Sequence, residues 1–190
     1  MKSLFGAVAV AALLVATPTF AQGFGQETYI NLGYTNFALD EIAGEEIDEE
    51  VDFNLGAVTG RIGTKFTPNF GVEGELNIGV KEEEASDAFT TISTKLNYGA
   101  AAFLVGYLPV SPNAELFARA GVGVTELETE IEEAGFSDSE SGSETVFGLG
   151  VGGQYFFDGL NGVRGEYTRY TGENESAEFD ALSVSYVRKF

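Results

Sequence analysis

No cysteine, histidine or tryptophan occurs among the 190 residues, and only 10 lysines and arginines stand against 30 aspartates and glutamates. Each shortage excludes a class of chemistry. Without Cys or His the chain cannot build the usual zinc, haem or iron–sulfur sites, nor use a thiolate nucleophile or an imidazole base. With so few bases it cannot release counterions from nucleic-acid phosphates, so no nucleic acid is expected as a partner. Long apolar runs are also scarce. After Leu4–Ala16 no stretch is apolar enough for a membrane helix, which says nothing about spans that alternate. What is present is 25 glycines, 44% hydrophobic residues and 13% aromatics at a formal charge of −20. That is too apolar for a disordered acidic tail.

The one apolar run belongs to a targeting device. A basic start at Lys2, the run Leu4–Ala16, and small residues at Thr19 and Ala21 have the layout of a secretory signal peptide covering residues 1–21. Thirteen residues reach only about 20 Å as a helix, short of a bilayer core of about 30 Å. Export follows, so a chain without Cys must fold without disulfides.

In residues 22–190 the dominant period is two. Ile30, Leu32 and Tyr34 alternate with Asn31, Gly33 and Thr35; Val72, Leu76, Ile78 and Val80 alternate with Glu73, Glu75, Asn77 and Gly79. Six further segments behave alike, ending with Leu182, Val184 and Tyr186 against Ser183 and Ser185. Eight strand candidates result, each with one apolar face and one polar or small face. Gly148–Gly153 fits a dinucleotide fingerprint by spelling. Its glycines keep the strand period and no helical pattern follows, so no cofactor is implied.

Connections alternate too. Short turns at Thr67-Pro68-Asn69, 109–113 and 158–162 separate longer acidic segments near 38–52, 81–90, 126–144 and 171–180. In a meander, alternate connections lie at opposite ends. The long segments hold 24 of the 30 acids with Lys81 their only base, so strands, turns and termini together are close to neutral. Their carboxylates are expected to associate weakly with divalent cations.

The predicted fold is all-β: an eight-stranded antiparallel up-and-down transmembrane β-barrel. A soluble lipocalin-like barrel would turn its apolar residues inward. The polar face here is instead mostly Gly, Asn, Ser, Thr and Ala, suited to a cramped lumen. Its few charges nearly balance: Arg61, Arg119 and Arg164 are candidates to pair with Glu73, Glu75 and Glu166. An interior that side chains just fill favours a packing network over a gate. Aromatics near strand ends (Tyr29, Phe37, Phe66, Tyr107, Phe157, Tyr170) are expected at the membrane interfaces. Arg169, on the outward face near the loop end, is a candidate contact for a lipopolysaccharide phosphate.

Gly63–Glu73, Ala120-Gly121-Val122-Gly123, Gly150–Phe156, Arg164-Gly165-Glu166-Tyr167 and the terminal Phe190 resemble, in order and spacing, the outer-membrane protein A-like, porin-family barrels of Gram-negative bacteria. The resemblance covers residues 22–190. It implies an outer-membrane location, lipid and lipopolysaccharide as surroundings, and recognition of Phe190 and Tyr186 by the outer-membrane assembly machinery. It carries no periplasmic peptidoglycan-binding domain. The expected function is non-enzymatic, a structural or surface-interaction role in the envelope. A narrow small-solute channel and a soluble exported binder are the alternatives. Enzymes among small barrels generally use a histidine, and none exists here.

Overall fold

A computed structural model describes residues 27–39, 53–86, 90–133, 136–173 and 178–190. The expected signal segment 1–21 and the acidic run 45–50 lie outside the described residues. Eight strands follow one another: β1 (Glu27–Leu39), β2 (Phe53–Thr67), β3 (Phe70–Ser86), β4 (Thr90–Ser111), β5 (Ala114–Glu133), β6 (Phe136–Phe156), β7 (Asn161–Gly172) and β8 (Glu178–Lys189). Each pairs antiparallel with the next, and β8 pairs with β1, closing the barrel. Closure removes both sheet edges. The seam runs from Tyr29 opposite Lys189 to Leu39 opposite Phe179.

Turn chemistry at one end is local. The Thr67 hydroxyl accepts from the backbone N–H of Asn69 and Phe70 at 3.3 and 2.9 Å. Asp158 accepts from the N–H of Leu160 and Asn161 at 3.0 and 2.6 Å, with Gly159 at φ 80° between. These three donors and acceptors shape a turn that only a residue free to adopt positive φ completes.

The other end differs from the sequence expectation. Segments 81–90 and 126–144 are largely strand rather than loop: β3 runs on to Ser86, β4 starts at Thr90, β5 reaches Glu133 and β6 begins at Phe136. Pairing continues from Glu82 opposite Lys95 to Ser86 opposite Thr91, and as far as Glu133 opposite Phe136. The reason lies in the spelling. Thr125, Leu127, Thr129 and Ile131 still alternate with Glu126, Glu128, Glu130 and Glu132. β-Branched residues favour extended backbone whether or not one face is buried. Thr171 and Gly172 likewise belong to the end of β7, and Glu178–Asp180 to the start of β8.

Apolar side chains face out. Ile62, Leu76, Leu104, Leu149, Leu182 and Val184 are exposed on the wall, while Asn31, Thr59, Glu75, Gln154 and Ser183 are buried within. This sidedness overturns the soluble-binder alternative, whose lumen would be apolar. Phe66 and Phe157 sit outside near the turns, as a membrane girdle requires. Tyr29, Phe37, Tyr107 and Tyr170 do not: all four are buried inside. Their strand parity explains it, since Tyr29 and Phe37 alternate in phase with Asn31 and Thr35. Leu96 also turns inward, because a register shift between Leu96 and Tyr98 separates two residues that simple alternation puts on one face.

Glycine makes room for these rings. Across the ladders Tyr29 faces Gly63, Phe103 faces Gly121, Phe117 faces Gly152 and Tyr170 faces Gly148. A Cβ on Gly121 would lie 2.5 Å from the Phe103 ring, and one on Gly152 would overlap that of Phe117. Each ring lies over the glycine opposite, an arrangement also known to pin strand register.

Two outcomes are expected. Gly121→Val overpacks the lumen and lowers stability by about 1–3 kcal/mol, whereas Gly60→Val, whose added Cβ meets nothing within 4 Å, leaves urea unfolding in detergent micelles nearly unchanged. The backbone and Asn161 donors hold the Asp158 carboxyl below its ordinary range. Because the folded-state pKa is depressed, its contribution is complete above the unfolded value near 4 and fades as pH falls through the folded one. Asp158→Asn therefore lowers the urea midpoint at neutral pH, and the gap to the wild type narrows as pH falls below that range.

Candidate functional site

The lumen brings together the six charged residues that the alternation pattern put on its inner face. They come from four strands: Arg61 from β2, Glu73 and Glu75 from β3, Arg119 from β5, and Arg164 with Glu166 from β7. Only Arg61 and Glu75 are direct cross-strand neighbours. Arg164 and Glu166 are neighbours on one face of β7, and the remaining pairs meet across the barrel.

Arg61 donates from Nε to Glu75 at 2.7 Å and from Nη2 to Glu166 at 3.3 Å. Arg119 donates from Nη1 to Glu75 at 2.6 Å and Glu73 at 3.1 Å, and its Nη2 pairs with Glu166. Arg164 bridges Glu73 at 2.7 Å and Glu166 at 3.0 Å. Three guanidiniums and three carboxylates thus interlock with no net charge, and none of their side chains is more than 1% exposed. Taken out of water, an unpaired ion would cost several kcal/mol; a closed set satisfies both signs at once.

Neutral groups complete the set. Tyr29 donates to Glu73 and Tyr170 to Glu75, both at 2.8 Å. Asn77 donates to Glu75 at 2.9 Å and Thr168 to Glu166 at 3.1 Å. The planes of Arg119 and Arg164 lie over Phe103 and Phe117, 3.9 and 4.0 Å from the ring centroids. Sequence reasoning did not include these partners. For the tyrosines the signal was their phase; for Thr168 and Asn77, their place on the polar face.

Two layers seal the network. Toward the acidic end, Phe37, Phe103, Tyr170 and Phe179 pack together, with Tyr170 and Phe179 stacked at 5.0 Å. The cavity left there is about 20 Å³, room for roughly one water. Toward the turns, Tyr29 and Tyr107 share a hydrogen bond of 2.5 Å. Below them lies a second ionic group. Lys65 reaches Glu115 at 2.8 Å and Glu27 at 2.9 Å; Lys189 reaches Glu27 at 3.2 Å and Glu115 at 3.7 Å. This ring ties β1, β2 and β8 to one another and to the facing β5.

The remaining expected sites stand apart from the lumen. Arg169 is outward and half exposed, paired with Asp180 at 3.3 Å and Glu178 at 3.6 Å. Those carboxylates occupy the guanidinium offered to a lipopolysaccharide phosphate. Tyr186 is outward near the turns, where its hydroxyl hydrogen-bonds Asn161. Phe190 donates its backbone N–H to the Thr28 carbonyl at 2.8 Å, extending the seam by one bond. Gly148–Gly153 lie within β6, with no helix among the described residues. Among the described residues no group of three or more carboxylates is arranged to hold a metal ion.

The family model for the outer membrane protein beta-barrel domain matches residues 7–190. The chain belongs to that family. Its barrel is an outer-membrane barrel, and the apolar wall faces lipid. Solved structures share the fold at low identity. The attachment invasion locus protein of Yersinia pestis, Ail, is 16% identical over 87% of this chain and 99% of its own, with a TM-score of 0.62. It has also been solved with the heparin analogue sucrose octasulfate. Neisserial surface protein A is 12% identical over 87% and 99%, with a TM-score of 0.58. The outer-membrane protein OprG of Pseudomonas aeruginosa is 14% identical over 88% and 97%, at 0.54. Among curated proteins none matches the sequence.

Removing one member of the lumen set leaves its partners charged and buried. Arg164→Met is expected to cost about 3–5 kcal/mol in urea unfolding of the barrel in micelles. Adding Glu73→Gln to it is expected to cost less than the sum of the single changes, the coupling that a double-mutant cycle reads.

Proposed function

We propose that this protein is a non-enzymatic, non-conducting outer-membrane barrel that anchors an acidic surface at the outer face of the envelope. The observation that carries the reading is the sealed lumen: a neutral ion set, none of its side chains more than 1% exposed, roofed by aromatics. A solute path needs a continuous polar lumen, so the channel alternative is disfavoured. The enzymatic reading lacks an imidazole or thiol anywhere in the chain. Residues 1–21 serve as the export signal, and the last strand, with Tyr186 and Phe190, as the segment the assembly machinery reads.

The acidic segments point to the partner class. Turns lie together at one end and the acidic stretches 82–84, 126–133 and 138–144 at the other, and short turns mark the periplasmic side. A dense negative field attracts basic surfaces and divalent cations and repels polyanions. The sulfated ligand of Ail therefore does not carry over; cationic polypeptides do, with divalent cations as weak competitors. Lipopolysaccharide, itself anionic, contacts this end through such cations rather than through Arg169.

Two measurements test this. The purified barrel in a planar bilayer is expected to show no steady openings; regular conductance steps would refute the sealed reading. In nanodiscs it is expected to bind polylysine with an affinity that falls as salt rises, and not to bind sucrose octasulfate. The reverse preference would overturn the assignment.

A further inference from the structure

The outer wall is not evenly convex. On β3 to β5 the lipid-facing positions shrink to Gly74, Ala102 and Ala120, and a groove of about 680 Å³ runs over them between Ile62, Leu104 and Phe147. A second groove of about 240 Å³, over Gly60, shares Ile62 and Gly74 with the first. Together they follow the ladder obliquely across β2 to β5. The larger falls in the size range of small-ligand sites.

Its turn-side end is polar. Thr28 and Thr64 line the groove there, and Thr28 donates its hydroxyl to Thr64 at 3.5 Å. Arg188 is exposed on the same outer face. It lies across the seam from Ile30, which lines the second groove and in turn faces Ile62. The guanidinium lies 5.7 Å from the Phe190 ring, and the Phe190 backbone is bonded to Thr28. A basic side chain on a lipid-facing wall is costly at the bilayer midplane and tolerated at the interface. Arg188 sits at that interface, on the periplasmic side.

From this juxtaposition we infer that the groove holds one phospholipid of the periplasmic leaflet, its phosphate on Arg188, with the Thr28 hydroxyl turned from Thr64 to donate to it, and an acyl chain over Gly74, Ala102 and Ala120. Charge complementarity selects the occupant: a guanidinium forks onto a phosphate, and the apolar floor continues from that point into the membrane. The inference rests on the outer-membrane reading with the turns toward the periplasm.

Native mass spectrometry of the folded chain in non-ionic detergent, titrated with phosphatidylglycerol, tests it. Wild type is expected to hold one lipid. Arg188→Gln, which removes the charge, and Gly74→Leu/Ala102→Leu, which fills the groove from outside, are each expected to weaken binding about tenfold. A Cβ on Gly74 comes no closer than 3.9 Å to a neighbour, so the second variant keeps the barrel; heat-modifiable migration verifies folding of both. Inorganic phosphate and uncharged diacylglycerol are expected to bind at least tenfold more weakly than phosphatidylglycerol. Equal lipid retention by all three proteins overturns the site. A dimer lost in the groove-filled variant overturns it in favour of a second copy. A wild-type chain that folds and stays soluble without detergent would instead overturn the outer-membrane reading itself.

Discussion

The lumen of an eight-stranded barrel is too narrow for solvent and too wide to leave empty. The inward space must be filled by side chains, and every inward charge must find its counterpart among the others. The rest of this structure follows from that constraint. Three arginines and three glutamates neutralise one another because their side chains are all but cut off from solvent. Tyr29, Tyr170, Asn77 and Thr168 are present because the carboxylates retain lone pairs that must be met. The glycines follow in turn: an interior holding Tyr29, Phe103, Phe117 and Tyr170 has no space for side chains opposite them.

The same constraint divides the molecule's functions by place. A filled interior fixes register and, as proposed above, conducts no solute. Interaction is left to the wall and the acidic end. The wall meets hydrocarbon along almost all of its surface, so its few departures from a smooth apolar cylinder, Arg188 and the floor of small residues among them, are where specific lipid contact can arise. At the acidic end β3, β5 and β6 continue through acidic stretches of the sequence, so a surface expected to be loop is in part paired strand.

Much of the fold was legible in the sequence because a strand with two different faces records its geometry at every second residue. The strand count, the outward set from Ile30 to Tyr186 and the inward set of six charges could be read this way. Failures arose where another cue was allowed to override the phase. Tyr29, Phe37, Tyr107 and Tyr170 lie near strand ends, which suggested a girdle, yet each is in phase with polar inward neighbours. The acidic segments spell loop by their charge and strand by their alternation, and the alternation decides the backbone. At Leu96 the phase itself is broken by the register shift, and no local pattern announces that.

Period two, turn chemistry and the sorting of charge therefore determined the barrel, its sidedness and its acidic end from sequence alone, since each depends only on neighbours along the chain. Which arginine meets which glutamate was decided only by the closed tertiary structure. Arg61 and Glu75 are adjacent on the ladder, but Arg164 reaches Glu73 across the lumen. That distance is set by barrel diameter and strand stagger, quantities that exist only once β8 has paired with β1.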